Sequence, residues 1–411
     1  MAHLVMRDRA LSPALDAPCK ASVAPNAPSE TAPRPALALE LVTSLRDFAA
    51  LETEWDGLFA ESAMPGQAFQ KFGWCWHWAT HYFDPNDGRA QLAIVTGRIA
   101  GRLSLVLPLV VNRVDGIRQL NWLVEPVSQY GDILASVEAR RIEALQSAWT
   151  FAAVATKADC ACLRKVRQGS LAARLLEHLA STTIDSAEAP YLSLAGDTSF
   201  QAWEQRRQPK ARKNRRRQAR RLADLGEVRY EKHAGTDHAS QLARMAAILK
   251  RQSLDDKGAI SPTVTDPRFA AFFSDVAAAG EAKAATSVYA VTTAGEPAAL
   301  KVLLSDGETR YLHIAAFDPR FEKCGAGALL LEHVISAAIA DGCATLDLLA
   351  PRHGYKMDFA DGVVRVDDHV LAITTKGFIY AHLVMRQRGR AKAFLQALPA
   401  PMRRILSRCI G

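Results

Sequence analysis

Stretches rich in β-branched and other apolar residues, separated by turn residues, occur twice along the chain in the same order. In the first half they predict three antiparallel strands, a helix and a further strand, in order at residues 91–96, 103–111, 117–124, 139–156 and 161–166. In the second half the same series is predicted at residues 287–292, 298–304, 309–316, 328–340 and 344–349. Turn dipeptides such as Asp115-Gly116 and Asp306-Gly307 separate the strands. The pattern therefore predicts an α/β protein with two similar domains.

The length of 411 residues suits two domains with tails. We predict domains over residues 39–195 and 196–380, each a mixed, mostly antiparallel sheet flanked by helices. Residues 1–38 are rich in Ala, Pro and Ser and lack periodicity, which predicts a disordered tail. Residues 381–411 are basic, and two prolines interrupt their apolar pattern, which predicts two short amphipathic helices. This last segment either packs on the protein or contacts a membrane surface.

Two features precede the first of the repeated strands. An amphipathic helix is predicted near residues 45–59, and an aromatic segment follows at residues 69–78. Trp74, Trp76 and Trp78 alternate within that segment. They indicate either a helix packed against a sheet or an aromatic wall that stacks on a sugar ring.

The net charge of +8 comes from one place in the chain. Residues 206–221 hold ten Lys or Arg and no acid, and the remainder carries 41 basic against 43 acidic residues. A helix is predicted at residues 209–225, and its neutral strip consists of Ala211, Gln218, Leu222 and Leu225. The basic residues predicted to face outward are Arg212, Lys213, Arg215, Arg216, Arg217, Arg220 and Arg221.

Such a face is either merely solvated or binds an anion, and its single sign favours a partner. The candidate partners are the phosphates of a nucleotide-type ligand, a phosphorylated or lipid-linked glycan, an anionic membrane surface and RNA. Aromatic residues are not interleaved with the charges, which argues against a platform that stacks single-stranded bases.

Cysteine and histidine spacing predicts neither a disulfide framework nor a metal site. The seven cysteines include no CxxC pair, and Cys160 and Cys162 would share one side of a strand as reduced, buried thiols. His77 and His81 are four apart but have no further ligands nearby. No secretory signal is visible, and the longest apolar run, residues 103–111, is too short to cross a bilayer. We therefore expect a cytoplasmic protein.

A glycine-containing loop at residues 317–328 lies between a predicted strand and an apolar helix. Its small residues, Gly325 and Gly327 among them, allow a ligand to approach the backbone, and the helix start favours an anion. Arg320 and Lys323 add positive charge. A pyrophosphate is the expected ligand, and a structural turn is the alternative. The first half has no equivalent loop, so one nucleotide-type site is predicted, in the second half.

The spacing Glu322-x-x-Gly325-x-Gly327 resembles the pyrophosphate loop of the GNAT (general N-acetyltransferase) superfamily, Arg/Gln-x-x-Gly-x-Gly/Ala, with Glu as a departure. Over residues 40–395 the chain resembles the acetyltransferase family linked to cellulose and exopolysaccharide biosynthesis, which is related to the Fem-type aminoacyl transferases. The residues that carry this resemblance are Phe69-Gln70, Trp74, Tyr130-Gly131-Asp132, Lys210-Ala211-Arg212-Lys213-Asn214, Arg220-Arg221-Leu222, Phe317-Asp318-Pro319, Asp347 and Tyr355-Lys356.

The resemblance implies two tandem GNAT-like domains, of which the first is degenerate and the second binds acetyl-CoA or another acyl-CoA without a metal. The residues implied in acyl-CoA binding are Ala315, Ala316, Arg320, Lys323, Gly325, Ala326, Gly327 and Ala328. The thioester would lie where the strand at residues 314–317 splays from that at 344–349. A backbone N–H near Ala315 or Ala316 would polarise its carbonyl group.

The same resemblance implies that Tyr355 protonates the departing thiolate, with Lys356 close by. Asp347 would orient or deprotonate the acceptor, or it is a buried structural carboxylate, paired with Lys356. The implied reaction moves an acyl group from CoA to a hydroxyl or amine of a sugar or cell-envelope precursor. An aminoacyl-tRNA-dependent transferase and a non-catalytic partner of a polysaccharide synthase are the alternatives. The expected location is the cytoplasm, with the inner face of the membrane as a second option.

Overall fold

The structure, a computed structural model, describes residues 36–259 and 261–385. The predicted N-terminal tail up to residue 35 and the basic C-terminal segment from residue 386 onward lie outside the described residues. The apolar runs identified above form strands of one continuous sheet. Its strands are β1 (Ala38–Val42), β2 (Ala90–Ile99), β3 (Arg102–Val114), β4 (Ile117–Trp122), β5 (Leu134–Ala135), β6 (Cys160–Arg167), β7 (Ser181–Ser193), β8 (Val228–His233), β9 (Thr286–Thr293), β10 (Glu296–Ser305), β11 (Thr309–Phe317), β12 (Thr345–Asp347) and β13 (Gly362–Ala372).

Helices cover both faces of this sheet. They are α1 (Leu45–Ala49), α2 (Glu52–Ser62), α3 (Phe72–Tyr82), α4 (Ile142–Thr156), α5 (Leu171–Leu176), α6 (Phe200–Gln205), α7 (Pro209–Ala223), α8 (Asp237–Asp256), α9 (Pro262–Thr265), α10 (Pro267–Ala284), α11 (Ala326–Ala340), α12 (Gly354–Met357) and α13 (Thr375–Tyr380). The helix predicted near residues 45–59 is two helices, α1 and α2. The predicted α/β fold is confirmed, and each half contains the predicted meander, helix and further strand.

The sheet joins the two halves of the chain through strands that cross between them. Its order is β1-β2-β3-β4-β6-β13-β7-β12-β11-β10-β9-β8, and β5 pairs with β3. Most pairs are antiparallel, whereas β6 is parallel to β4 and β12 is parallel to β11. Strand β13 lies between β6 and β7, and β7 in turn pairs with β12. The predicted division near residue 195 therefore falls within one hydrogen-bonded sheet, and it stays a prediction.

The aromatic segment is a packing element. Trp74 and Trp78 are buried in α3, and Trp76 is half-buried. The indole N–H of Trp74 donates to the Ser128 hydroxyl oxygen at 2.8 Å, and its ring meets Phe272 of α10 edge-on with centroids 4.8 Å apart. The helix interpretation is confirmed, and the two buried tryptophans present no open face for a sugar.

Cys160 and Cys162 were predicted to be reduced and buried, and in the structure both are free and buried. Apolar clusters fill the spaces between the sheet and its helices on both faces. Among the residues that the structure describes, no helix combines the length and apolar character needed to cross a membrane.

Candidate active site

One large cavity opens in the second half of the chain, with a volume of about 1890 Å³. It exceeds the roughly 300–1,000 Å³ of common small-molecule sites, so it has room for two substrates. Its walls come from α7, the C-terminal end of α8, strands β10 and β11, the loop before α11, and the segment from Tyr355 to Phe359. The predicted site residues that line it are Ala315, Ala316, Gly325, Ala326, Gly327, Ala328 and Tyr355.

The loop before α11 presents backbone amides to this cavity. Residues Pro319–Cys324 form a short 3₁₀ helix, and Gly325 then turns the chain with φ of 65°, a left-handed conformation that favours glycine. The carbonyl oxygen of Gly325 accepts bonds from the amides of Ala328 and Leu329 at 3.0 and 3.1 Å. The amides of Ala326 and Gly327 precede the ladder of intrahelical bonds, so they are donors for a ligand. The helix start thus has the form of an anion-binding site.

The two charged residues predicted for this loop lie outside the cavity wall. Arg320 is exposed and forms ion pairs of 2.8 Å with both Asp318 and Glu296. Lys323 is exposed, and its carbonyl oxygen accepts a bond of 3.5 Å from Arg221. The structure therefore gathers the small residues of the predicted set, whereas the positive charge of the cavity comes from elsewhere.

Helix α7 supplies most of that charge. Pro209 occupies its first turn, where a missing N–H costs nothing. Arg212, Arg216 and Arg220 line the cavity, and the Gln218 side chain lies so close to Gly325 that an added Cβ there would be 2.4 Å away. The basic helix is therefore in contact with the predicted pyrophosphate loop.

One residue of α7 was assigned to the wrong face. Arg215 was predicted to face outward, but it is buried, with its Nε 2.6 Å from a carboxylate oxygen of Glu332. Its guanidinium group also stacks 4.8 Å from the ring centre of Phe359. Burial raises the pKa of Glu332 to about 7, although Arg215 acts in the opposite direction. Arg215 therefore lies on the same buried side of α7 as Leu222. Leu225, which the sequence analysis placed on that side, is exposed.

Strands β11 and β12 separate beside the cavity, as predicted. They pair only over Thr309–Tyr311 and Thr345–Asp347, so among the described strands the later residues of β11 have no partner on that side. Ala315 and Ala316 lie in this separated part and line the cavity. On its other side, β11 remains paired with β10, where Ala315 stands opposite Lys301.

The three predicted catalytic residues occupy different environments. Tyr355 is 48% exposed and lines the cavity, and partial loss of hydration raises its pKa above the ordinary value. Asp347 is buried outside the cavity wall, where it accepts bonds from the Tyr130 hydroxyl at 2.9 Å and from the Leu349 amide at 2.8 Å. Burial raises the pKa of Asp347.

Lys356 is also buried behind the wall. Its Nζ donates to the carbonyl oxygens of Leu349 and Pro351 at 2.6 and 3.1 Å. Burial and the charge of Lys250 lower its pKa to about 8. Among the described residues the side-chain hydrogen-bond partner of Asp347 is therefore Tyr130, in place of the pairing with Lys356 that the sequence allowed.

The sequence interpretation missed Lys301, which lines the cavity from β10 and is only 3% exposed. Burial lowers its pKa to about 7, and the neighbouring charge of Lys250 acts in the same direction. Lys250 of α8 lines the same cavity, and burial lowers its pKa too. The sequence signal that could have identified Lys301 is its position as the one charged residue in the apolar run at residues 298–304.

One group within the described residues has spacing that suits a metal ion. Glu231 and His233 on β8 and His238 at the start of α8 place ligand atoms within 4.8 Å of one another. The group lies outside the cavity, and His238 is exposed. Exposed groups of this kind are common without an ion, so we assign no metal role to it.

Comparison with known proteins agrees with this geometry. Residues 209–357, which include α7, the loop and Tyr355, match the family described as "Acetyltransferase (GNAT) domain". No curated protein matches the chain. The crystal structure of FemX is similar with a TM-score of 0.58 and 10% identity, covering 81% of this chain and 98% of FemX.

A conserved protein of unknown function from Bacteroides thetaiotaomicron is similar with a TM-score of 0.50 and 11% identity, covering 81% of this chain and all of that one. At such identities the likeness shows the fold alone. Residues 209–357 of this chain are thus similar to the acetyltransferase (GNAT) domain family, and the part of the chain that the comparison covers shares the fold of FemX.

Proposed function

We propose that the protein is a GNAT-type acyltransferase that uses acetyl-CoA or another acyl-CoA. The acceptor in this proposal is a hydroxyl or amine of a sugar or of a cell-envelope or exopolysaccharide precursor. The observation that carries the proposal is the single cavity shared by the amides of α11, the separated end of β11 and Tyr355. The choice of acceptor rests on the resemblance to the family linked to cellulose and exopolysaccharide biosynthesis.

Each part of the cavity has a role in this proposal. The amides of Ala326 and Gly327 bind the pyrophosphate, with the arginines of α7 beside it. The amide of Ala315 or Ala316 polarises the thioester carbonyl where β11 leaves β12. The acceptor attacks the carbonyl carbon, the carbon–sulfur bond breaks, and Tyr355 donates its proton to the departing thiolate. The proton that the acceptor hydroxyl or amine releases on attack then restores the Tyr355 hydroxyl group.

Two alternatives use the same surface differently. An aminoacyl-tRNA-dependent transferase would bind RNA through α7, and its support is the fold shared with FemX. A non-catalytic partner of a polysaccharide synthase would bind neither acyl-CoA nor tRNA. Isothermal titration with acetyl-CoA and, separately, with aminoacyl-tRNA distinguishes the three.

Gly327→Ile tests the donor site directly. A Cβ at Gly327 would meet Phe317 at 3.7 Å, an ordinary contact, so the variant should fold while its branched side chain fills the pyrophosphate space. We expect acetyl-CoA affinity to fall about tenfold or more. Gly327→Ala is the matched control, with a much smaller loss. Unchanged affinity in a folded Gly327→Ile protein would show that the loop does not bind the donor.

A further inference from the structure

Lys301 is a buried amine without a hydrogen-bonding or charged partner in the part of the chain that the structure describes. Lys301 lies in β10 between apolar residues of that strand, and the residue is only 3% exposed. Within the described residues its Nζ forms neither a hydrogen bond nor an ion pair, and the residue lines the cavity. A buried ammonium group without a counter-charge is costly, so its position in a cavity wall indicates an anionic ligand.

Two further lysines face the same space. Lys250 of α8 and Lys257 just beyond α8 line the cavity, and neither has an acidic partner among the described residues. Burial lowers the pKa of Lys250, and Lys257 lowers it further. The charge of Lys250 likewise acts on Lys301 and Lys356. The amines therefore repel one another.

The rest of the cavity wall offers them little compensation. The wall as a whole, these three lysines included, carries twelve Lys or Arg side chains against two carboxylates, those of Glu322 and Asp358. Neither carboxylate is among the groups that shift the pKa of Lys301. An anionic ligand would supply the missing counter-charge.

The position of Lys301 separates this ligand from the donor phosphates. In the β10–β11 register Lys301 stands opposite Ala315, at the point where β11 has left β12. In the proposed function this is where the thioester lies, whereas the pyrophosphate meets α11 and α7. A group held at Lys301 is thus near the reacting carbon and belongs to the acceptor.

We propose that Lys301, together with Lys250 and Lys257, binds an anionic group of the acceptor, either a carboxylate or a phosphate monoester. This inference rests on the proposed acyl transfer, and it restricts the acceptor to acidic molecules. Ser253 also lines this part of the cavity and adds a hydroxyl donor. The bound anion favours the charged form of Lys301, so binding above neutral pH takes up a proton.

Titration calorimetry with two probes tests the subsite. Succinate and inorganic phosphate are titrated separately into the protein, free and saturated with acetyl-CoA. We expect one probe to bind in both states and to show which anion is preferred. Lys301→Met and Lys250→Met should each weaken binding about tenfold to a hundredfold, as expected for a lost charge-assisted hydrogen bond. Lys157→Met, which removes an exposed lysine outside the cavity, should bind as wild type does.

The outcomes separate the subsite from the proposed function. Normal acetyl-CoA binding with no binding of either probe, or wild-type probe affinity in both cavity variants, overturns the subsite alone. Displacement of acetyl-CoA by the probe would assign the amines to the donor and also overturn it. Failure of acetyl-CoA to bind overturns the donor assignment, and the titrations of the free protein then decide whether the anion subsite exists.

Discussion

Tyr355 carries the hydroxyl group that we assign to proton transfer. It projects from α12 into the cavity, and its raised pKa keeps it protonated at neutral pH. Tyr355→Phe should lower turnover by about 10²–10⁴, the usual loss for a general acid, while acetyl-CoA affinity stays near wild type. Steady-state kinetics and calorimetry measure the two quantities. Tyr230→Phe, at a tyrosine of β8 outside the cavity, is the control, and wild-type turnover in Tyr355→Phe would exclude the role.

Asp347, in contrast to Tyr355, is a buried carboxylate with a structural environment. Both of its oxygens are satisfied, by Tyr130 and by the Leu349 amide, and it does not line the cavity. A carboxylate held in this way stabilises the junction between the two halves of the chain. This position favours the structural alternative for Asp347 over direct contact with the acceptor.

Lys301 should make the stability of the protein depend on pH. Its pKa is lowered from 10.5 to about 7, so between these values the unfolded chain binds a proton that the folded chain lacks. The contribution of Lys301 to stability is therefore full above pH 10.5 and is lost as pH falls towards 7. Lys301→Met removes this loss and should be more stable than wild type by more than about 1.4 kcal/mol at pH 7.

Denaturant unfolding of both proteins from pH 7 to 10 measures the effect. The stability difference between variant and wild type should shrink as pH rises. Lys157→Met, at an exposed lysine, should show no such trend. A difference that stays constant with pH would mean that Lys301 remains charged in the folded protein.

At the scale of elements, α7 and the loop before α11 form one surface. Arg221 donates to the Lys323 carbonyl oxygen, and Arg215 anchors the helix to Glu332 of α11. The arginines Arg212, Arg216, Arg217 and Arg220 of this helix line the same cavity as Ala326 and Gly327. This arrangement favours the CoA phosphates over RNA or a membrane as the anion that α7 meets.

Reversal of charge on α7 tests this arrangement. The double variant Arg216→Glu/Arg220→Glu places carboxylates in the cavity wall without touching the buried Arg215 and Leu222. We expect acetyl-CoA affinity to fall about tenfold and its dependence on salt to weaken, because fewer favourable charges remain to be screened.

Arg244→Glu is the single-site control, because Arg244 is exposed on α8 and does not line the cavity. Calorimetry between low and high salt gives the slope for each protein. Equal affinities and equal slopes for the double variant and wild type would identify the basic face as merely solvated.

At the scale of the molecule, local pattern predicted the repeated elements and the glycine loop, because both depend on residues close in sequence. Arg215 was misplaced because its partners, Glu332 and Phe359, lie more than a hundred residues away. Lys301 was missed because a strand pattern does not show which side chain reaches a cavity. The periodicity of apolar residues could not predict the position of β13 between β6 and β7 either, because that position depends on long-range strand pairing.

This long-range pairing predicts that the halves do not fold independently. Strand β13 of the second half pairs with β6 and β7 of the first, and β7 separates it from β12. Hydrogen bonds also cross between the halves, from the Tyr130 hydroxyl to Asp347 and between His313 and the Val127 carbonyl oxygen. Separating the halves would leave edge strands unpaired and these buried polar groups unsatisfied.

We therefore expect the whole chain to unfold in one cooperative transition, although chains of this size commonly show intermediates. Urea unfolding followed by tryptophan fluorescence reports mainly on the first half, which holds six of the seven tryptophans, with Trp203 alone in the second. Far-ultraviolet circular dichroism reports on both halves, so its transition should coincide with that of fluorescence. Residues 39–195 and 196–380, expressed separately, should lack stable structure. Two separate transitions, or a cooperatively folded 196–380 fragment, would instead establish two independent domains with the boundary near residue 195.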